Sequence, residues 1–144
     1  VTIFPNCDQP RRIAKSLGFA VLRKDAAKKQ IWGWASVSTV DGVPVTDVQG
    51  DRISTDVLEK AVYSYVANSG NIGDMHARLG AGKCIESFVF TKSKCASLGI
   101  PVPEGKEGWF IGIQCDDQLW AQVLNGNTNL SIGGSARRKA VNND

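Results

Sequence analysis

The chain contains one histidine, His76, in 144 residues. That scarcity excludes any site built on clustered imidazoles. Four cysteines, at positions 7, 84, 95 and 115, do not compensate. None stands in Cys-x-x-Cys spacing, and one histidine cannot complete a zinc finger. No metal or cofactor is therefore expected, and the cysteines read as small buried hydrophobes of a reducing compartment. No apolar run approaches the roughly 20 residues of a membrane-spanning helix, and no signal-peptide pattern opens the sequence. Charge of one sign is also thin. The formal net charge is +3, and Arg11-Arg12, Lys28-Lys29 and Arg137-Arg138-Lys139 are short, separate runs. They suit solvated faces better than a nucleic-acid footprint, and no interleaving of aromatic and basic residues marks such a surface. Neither nucleic acid nor membrane is an expected partner.

What is present is an ordinary globular composition, with 42% hydrophobic and 22% charged residues. Residues 1–144 are long enough for one domain with its own core. Residues 1–17 show no period and read as an N-terminal arm, or as a strand that pairs elsewhere. Strand patterns follow at residues 18–24, 30–40, 83–91, 109–115 and 129–141. Gly33, between Trp32 and Trp34, signals a bulge or a close backbone approach. Asp41-Gly42 is a turn signal. Val57, Leu58, Ala61, Val62 and Tyr65 recur at helical spacing, so residues 55–67 form an amphipathic helix, expected to pack through Val57, Leu58, Ala61 and Tyr65. Asp116 caps a shorter helix with Leu119, Trp120, Val123 and Leu124 on its apolar face. The tryptophans read as core. Strands outnumber helices and do not alternate with them, which predicts an α+β, strand-dominated antiparallel sheet or closed β-barrel with peripheral helices.

Ser131 lies in Asn129-Leu130-Ser131-Ile132-Gly133-Gly134-Ser135-Ala136. A nucleophilic serine needs exposure and a nearby base. Small residues after it admit substrate and leave backbone N–H groups for an oxyanion. The same string is also that of a plain bulge or turn, and it is not the Gly-x-Ser-x-Gly elbow. His76, in Gly73-Asp74-Met75-His76-Ala77-Arg78, is the candidate base, although a lone histidine is easily incidental. Glu86 interrupts the apolar run Cys84-Ile85-Glu86-Ser87-Phe88. On strict alternation it shares a face with Cys84, Phe88 and Phe90. It is then inward and needs a partner such as an imidazole; otherwise that face is solvated. Asp51 and Asp74 are the other carboxylates able to orient the imidazole, and Cys84 is the alternative nucleophile.

The chain resembles the XkdF-like phage serine proteases of the prohead-protease group. The resemblance is carried by Ile31-Trp32-Gly33-Trp34-Ala35-Ser36-Val37, Asp47-Val48-Gln49-Gly50-Asp51-Arg52-Ile53, Met75-His76, Ile85-Glu86-Ser87-Phe88-Val89-Phe90 and Leu130-Ser131-Ile132-Gly133-Gly134, and it runs over roughly residues 30–140. It implies a herpesvirus-assemblin-like β-barrel and a serine endopeptidase of capsid maturation. Ser131 would be its nucleophile and His76 its base. It also implies scaffold and capsid proteins as partners, a homodimer, and action in the host cytoplasm inside the assembling prohead or virion. Related proteases continue past the serine strand with a further segment, whereas this sequence stops at Val141-Asn142-Asn143-Asp144. Either the third catalytic member lies upstream, with Glu86 the expected residue and Asp51 in reserve, or the chain is a truncated product, or the domain has lost activity. The alternative is a protease-fold assembly component of the virion with weak or no activity.

Overall fold

Strand β3 (Gln30–Val40) is the spine of the molecule. Its β-branched and aromatic residues favour extended backbone. It pairs antiparallel with β2 (Ala20–Asp25) on one side and with β7 (Lys106–Cys115) on the other. Gly33 permits the first of these pairings. A Cβ at that position would stand 1.9 Å from the Ala20 carbonyl oxygen, so the close approach read from the sequence is real. Asp41 and Gly42, with φ of 50° and 79°, turn the chain from β3 into β4 (Val43–Pro44). Positive φ at both central positions is what a two-residue hairpin of matching twist requires.

The computed structural model describes residues 15–47, 50–68, 71–74, 78–126 and 129–132. Their strands form one eight-stranded antiparallel sheet in the order β1-β8-β5-β6-β7-β3-β2, with β4 beside β3. The remaining strands are β1 (Lys15–Gly18), β5 (Asn71–Asp74), β6 (Arg78–Phe90) and β8 (Asn129–Ile132). The strands expected at residues 30–40, 83–91 and 109–115, and the described part of that at 129–141, therefore share one sheet. The expected closure into a barrel is corrected, because the strand order is an open path ending at β1 and β2. Those two ends are consecutive in the chain, separated only by Phe19. One extended stretch gives its first half to β8 and its second to β3, and it cannot pair with its own continuation.

Among the described residues three α-helices complete this mixed α/β fold. Ser54 starts α1 (Thr55–Asn68), accepting from the Val57 N–H at 3.3 Å. Thr91 caps α2 (Lys92–Leu98), and Gly99 ends it in the left-handed region at φ 68°. Asp116 caps α3 (Asp117–Leu124), accepting from the Leu119 N–H at 2.8 Å, as its sequence position suggested. Leu58, Ala61, Val62 and Tyr65 of α1 are buried together with Leu119, Trp120 and Val123 of α3. They form one core with Ile31, Val89, Trp109, Ile111 and Ile113 of the sheet. Val57, expected in that contact, is 39% exposed, and Val62 takes its place. Burying such side chains contributes about 1.5–3 kcal/mol each before entropy is counted. Trp34 is buried among rings outside that core cluster, with its centroid 5.6 Å from Phe90 and 5.5 Å from Phe110.

Candidate active site

Ser131 is the third residue of β8, a strand held on both flanks. On one side it pairs with Ser16 of β1, and on the other with Gly73 of β5. Leu130, next to it, pairs with Leu17 and with Asp74. Asp74 also pairs with Arg78, the first residue of β6. The three residues between Asp74 and Arg78 include His76, which lies outside the described residues, as do Gly133 and Gly134. The ladder thus brings the serine strand beside the strand that leads directly into the histidine segment. Sequence reading missed β5 because Gly70, Asn71 and Gly73 gave it the composition of a loop; Ile72 was the single strand-like signal.

Glu86 is not in that row. Ser131 is level with Gly73, whose neighbours Ile72 and Asp74 pair with Gly82 and Arg78 of β6. Glu86 lies four to eight residues farther along β6, roughly 13–26 Å at 3.3 Å per residue. Its carboxylate is exposed and accepts the Trp32 indole N–H at 2.7 Å. The expected shared face with Cys84 fails at a bulge. Cys84 pairs with Ile113 and Glu86 with Gly112, so Ile85 is an extra residue. Beyond it the inward positions become Ser87 and Val89, opposite Ile111 and Trp109. A bulge reverses the side-chain parity of everything after it.

Asp51, the reserve carboxylate, stands in the loop after β4 and lines a cavity near Ala20. Its N–H donates to Asp47 Oδ1 at 2.9 Å. Ala20 is four residues from Ser16, so Asp51 too is off the serine row. Cys84 is half-buried against the core. Burial pushes its thiol up from the ordinary value, against the smaller lowering effect of a backbone hydrogen bond at Glu86. A thiol held protonated is a poor nucleophile near neutral pH. Burial also raises the Tyr65 phenol, with the neighbouring Cys84 adding to the effect. Among the described residues no group of three or more His, Cys, Asp or Glu side chains could hold a metal ion.

A model of the family described as "Putative phage serine protease XkdF" matches residues 20–140. The chain belongs to this family. No curated protein and no solved structure matches it. The match covers both β8 and the histidine segment, so the XkdF family assignment includes every residue singled out as chemical from sequence. A protease-like role follows at the level of the family.

Proposed function

We propose that the chain is a serine endopeptidase of phage capsid maturation, with Ser131 as nucleophile and His76 as base. The observation that carries this reading is the pairing of β8 with β5 within a chain that matches the XkdF family. Ser131 stands opposite Gly73, and His76 follows three residues later. In the reaction the imidazole takes the hydroxyl proton as the serine oxygen attacks the scissile carbonyl, then delivers it to the leaving amine. Gly133 and Gly134 follow the serine without side chains that would obstruct substrate. We assign the orienting role to Asp74 in place of Glu86, because its strand runs beside β8 and leads into His76.

The reading carries with it scaffold and capsid proteins as substrates and partners, a homodimeric state, and the assembling prohead in the host cytoplasm as the place of action. Its test is labelling of the purified chain by a fluorophosphonate, with the adduct located by mass spectrometry. Modification of Ser131 that disappears in His76→Ala supports it. A wild-type chain that neither reacts nor cleaves scaffold protein is instead an assembly component that keeps the protease fold.

A further inference from the structure

Ser131 has a cross-strand partner on each side, Gly73 of β5 and Ser16 of β1. Gly73 brings no side chain to the row, so Ser16 is the opposite residue that does. The register of β1 on β8 runs without a shift from the Lys15–Ile132 pair to the Gly18–Asn129 pair. Directly opposite residues of an antiparallel pair share a face, with Cβ atoms about 4.5–5.5 Å apart. At that spacing two hydroxyls can close to the roughly 2.7–2.8 Å of an O–H···O bond. The face itself follows from the continuation of β1. Phe19 is buried in the core and Val21 packs against it. Alternation from these two positions places Ser16, and Ser131 with it, on the face away from that core. The nearest other positions on this face are Gly18, which again has no side chain, and Asn129. Asn129 is two residues back along β8, roughly 6.6 Å from Ser131.

We propose that Ser16 is a positioning residue for the nucleophile, its hydroxyl donating a hydrogen bond to that of Ser131. The inference rests on the endopeptidase reading and deepens it. A serine side chain has three staggered rotamers, and attack needs the one that holds Oγ between base and scissile carbonyl. A donor fixed on the neighbouring strand selects one rotamer. It also occupies a lone pair of Oγ, which leaves the Ser131 O–H as the donor towards His76. As Oγ attacks, the Ser131 proton passes to the imidazole, and Ser16 keeps its own. Ser16 acts through Ser131 and makes no contact with substrate, so its loss belongs in kcat and not in KM. The rigidity required of such a donor comes from the flanks of β1: β8 fixes its register, and Phe19 ties its end into the core.

The test compares the whole chain in four forms: wild type, Ser16→Ala, Ser16→Thr and Ser16→Val. Thr and Val are both β-branched and both suit a strand, so they differ chiefly in the hydroxyl. The first readout is the second-order rate at which a fluorophosphonate labels Ser131, the Oγ–P bond forming as fluoride leaves. Ser16→Ala and Ser16→Val should react about three- to tenfold more slowly than wild type, the worth of one hydrogen bond. Ser16→Thr should stay within about twofold of wild type. On scaffold protein the same loss should fall on kcat, with KM unchanged. Circular dichroism and urea midpoints verify that all four forms fold. Labelling of Ser16→Ala at the wild-type rate, equal rates for the Thr and Val forms, or a loss confined to KM overturns the proposal and leaves Ser131 as nucleophile. A wild type unreactive at Ser131 removes the endopeptidase reading, and the role of Ser16 with it.

Discussion

Trp32 donates its indole N–H to Glu86 across the sheet at 2.7 Å. The Arg23 guanidinium lies over the same ring, 4.6 Å from its centroid. Gly112 makes room for the indole, since a Cβ there would stand 2.6 Å from Nε1. Glu86 is thus engaged in a local structural contact on an exposed surface. Glu86→Gln should change kcat/KM on a scaffold substrate by less than about twofold, while shifting the Trp32 fluorescence. Asp74→Asn should lower kcat/KM tenfold or more, because an orienting carboxylate carries part of the rate. A Glu86→Gln chain as slow as His76→Ala would restore Glu86 to the site.

Nucleophile and base act as a unit, so their losses do not add. Ser131→Ala and His76→Ala should each reduce scaffold cleavage by roughly a thousandfold or more. The double variant should be no slower than either single one. Cleavage followed by mass spectrometry, with circular dichroism to verify the fold, checks both statements. Full activity in Ser131→Ala would remove the assigned nucleophile.

Burial, aided by the Asp116 charge, moves the Cys115 thiol from 9.0 to about 11. The folded state therefore keeps its proton longer than the unfolded state does. The resulting stability is complete below about pH 9 and is lost as pH rises towards 11. It amounts to on the order of 2–3 kcal/mol at most. Urea midpoints measured between pH 8 and 11 should fall less steeply in Cys115→Ala than in the wild type, after allowing for the cavity the substitution leaves. Parallel curves would show that the thiol is not the titrating group.

Gly33→Ala should separate β2 from β3. Its Cβ would meet the Ala20 carbonyl, which is backbone and cannot step aside as a flexible side chain would. A loss of about 3 kcal/mol or more is expected in urea unfolding, as for severe overpacking. A change below about 1 kcal/mol would mean that the strand pair can relax at little cost.

Local chemistry was the legible part of this sequence. The limits of β3, the Asp116 cap, the Asp41-Gly42 turn and the close approach at Gly33 all follow from residue type and spacing. The serine strand was legible as well. The outward placement of Glu86 was not, because the bulge at Ile85 changes parity without leaving a composition signal. Helical periodicity gave α1 its apolar stripe, yet Val57 and Val62 both lie within reach of that stripe, and only packing against the sheet selects between them. β5 and the open strand order depend on pairings between distant segments, which no local pattern encodes.

The stretch shared by β1 and β2 has a kinetic consequence. Its second half meets β3 through a short turn, a hairpin that closes early at small entropic cost. Its first half must wait for residues 129–132, almost the whole chain away. Pulse-labelled amides of Val21 and Ile31 should therefore become protected during refolding before those of Leu17 and Leu130. The row that contains Ser131 is then the last to assemble, so a nascent chain would carry its nucleophile before it has the architecture to use it.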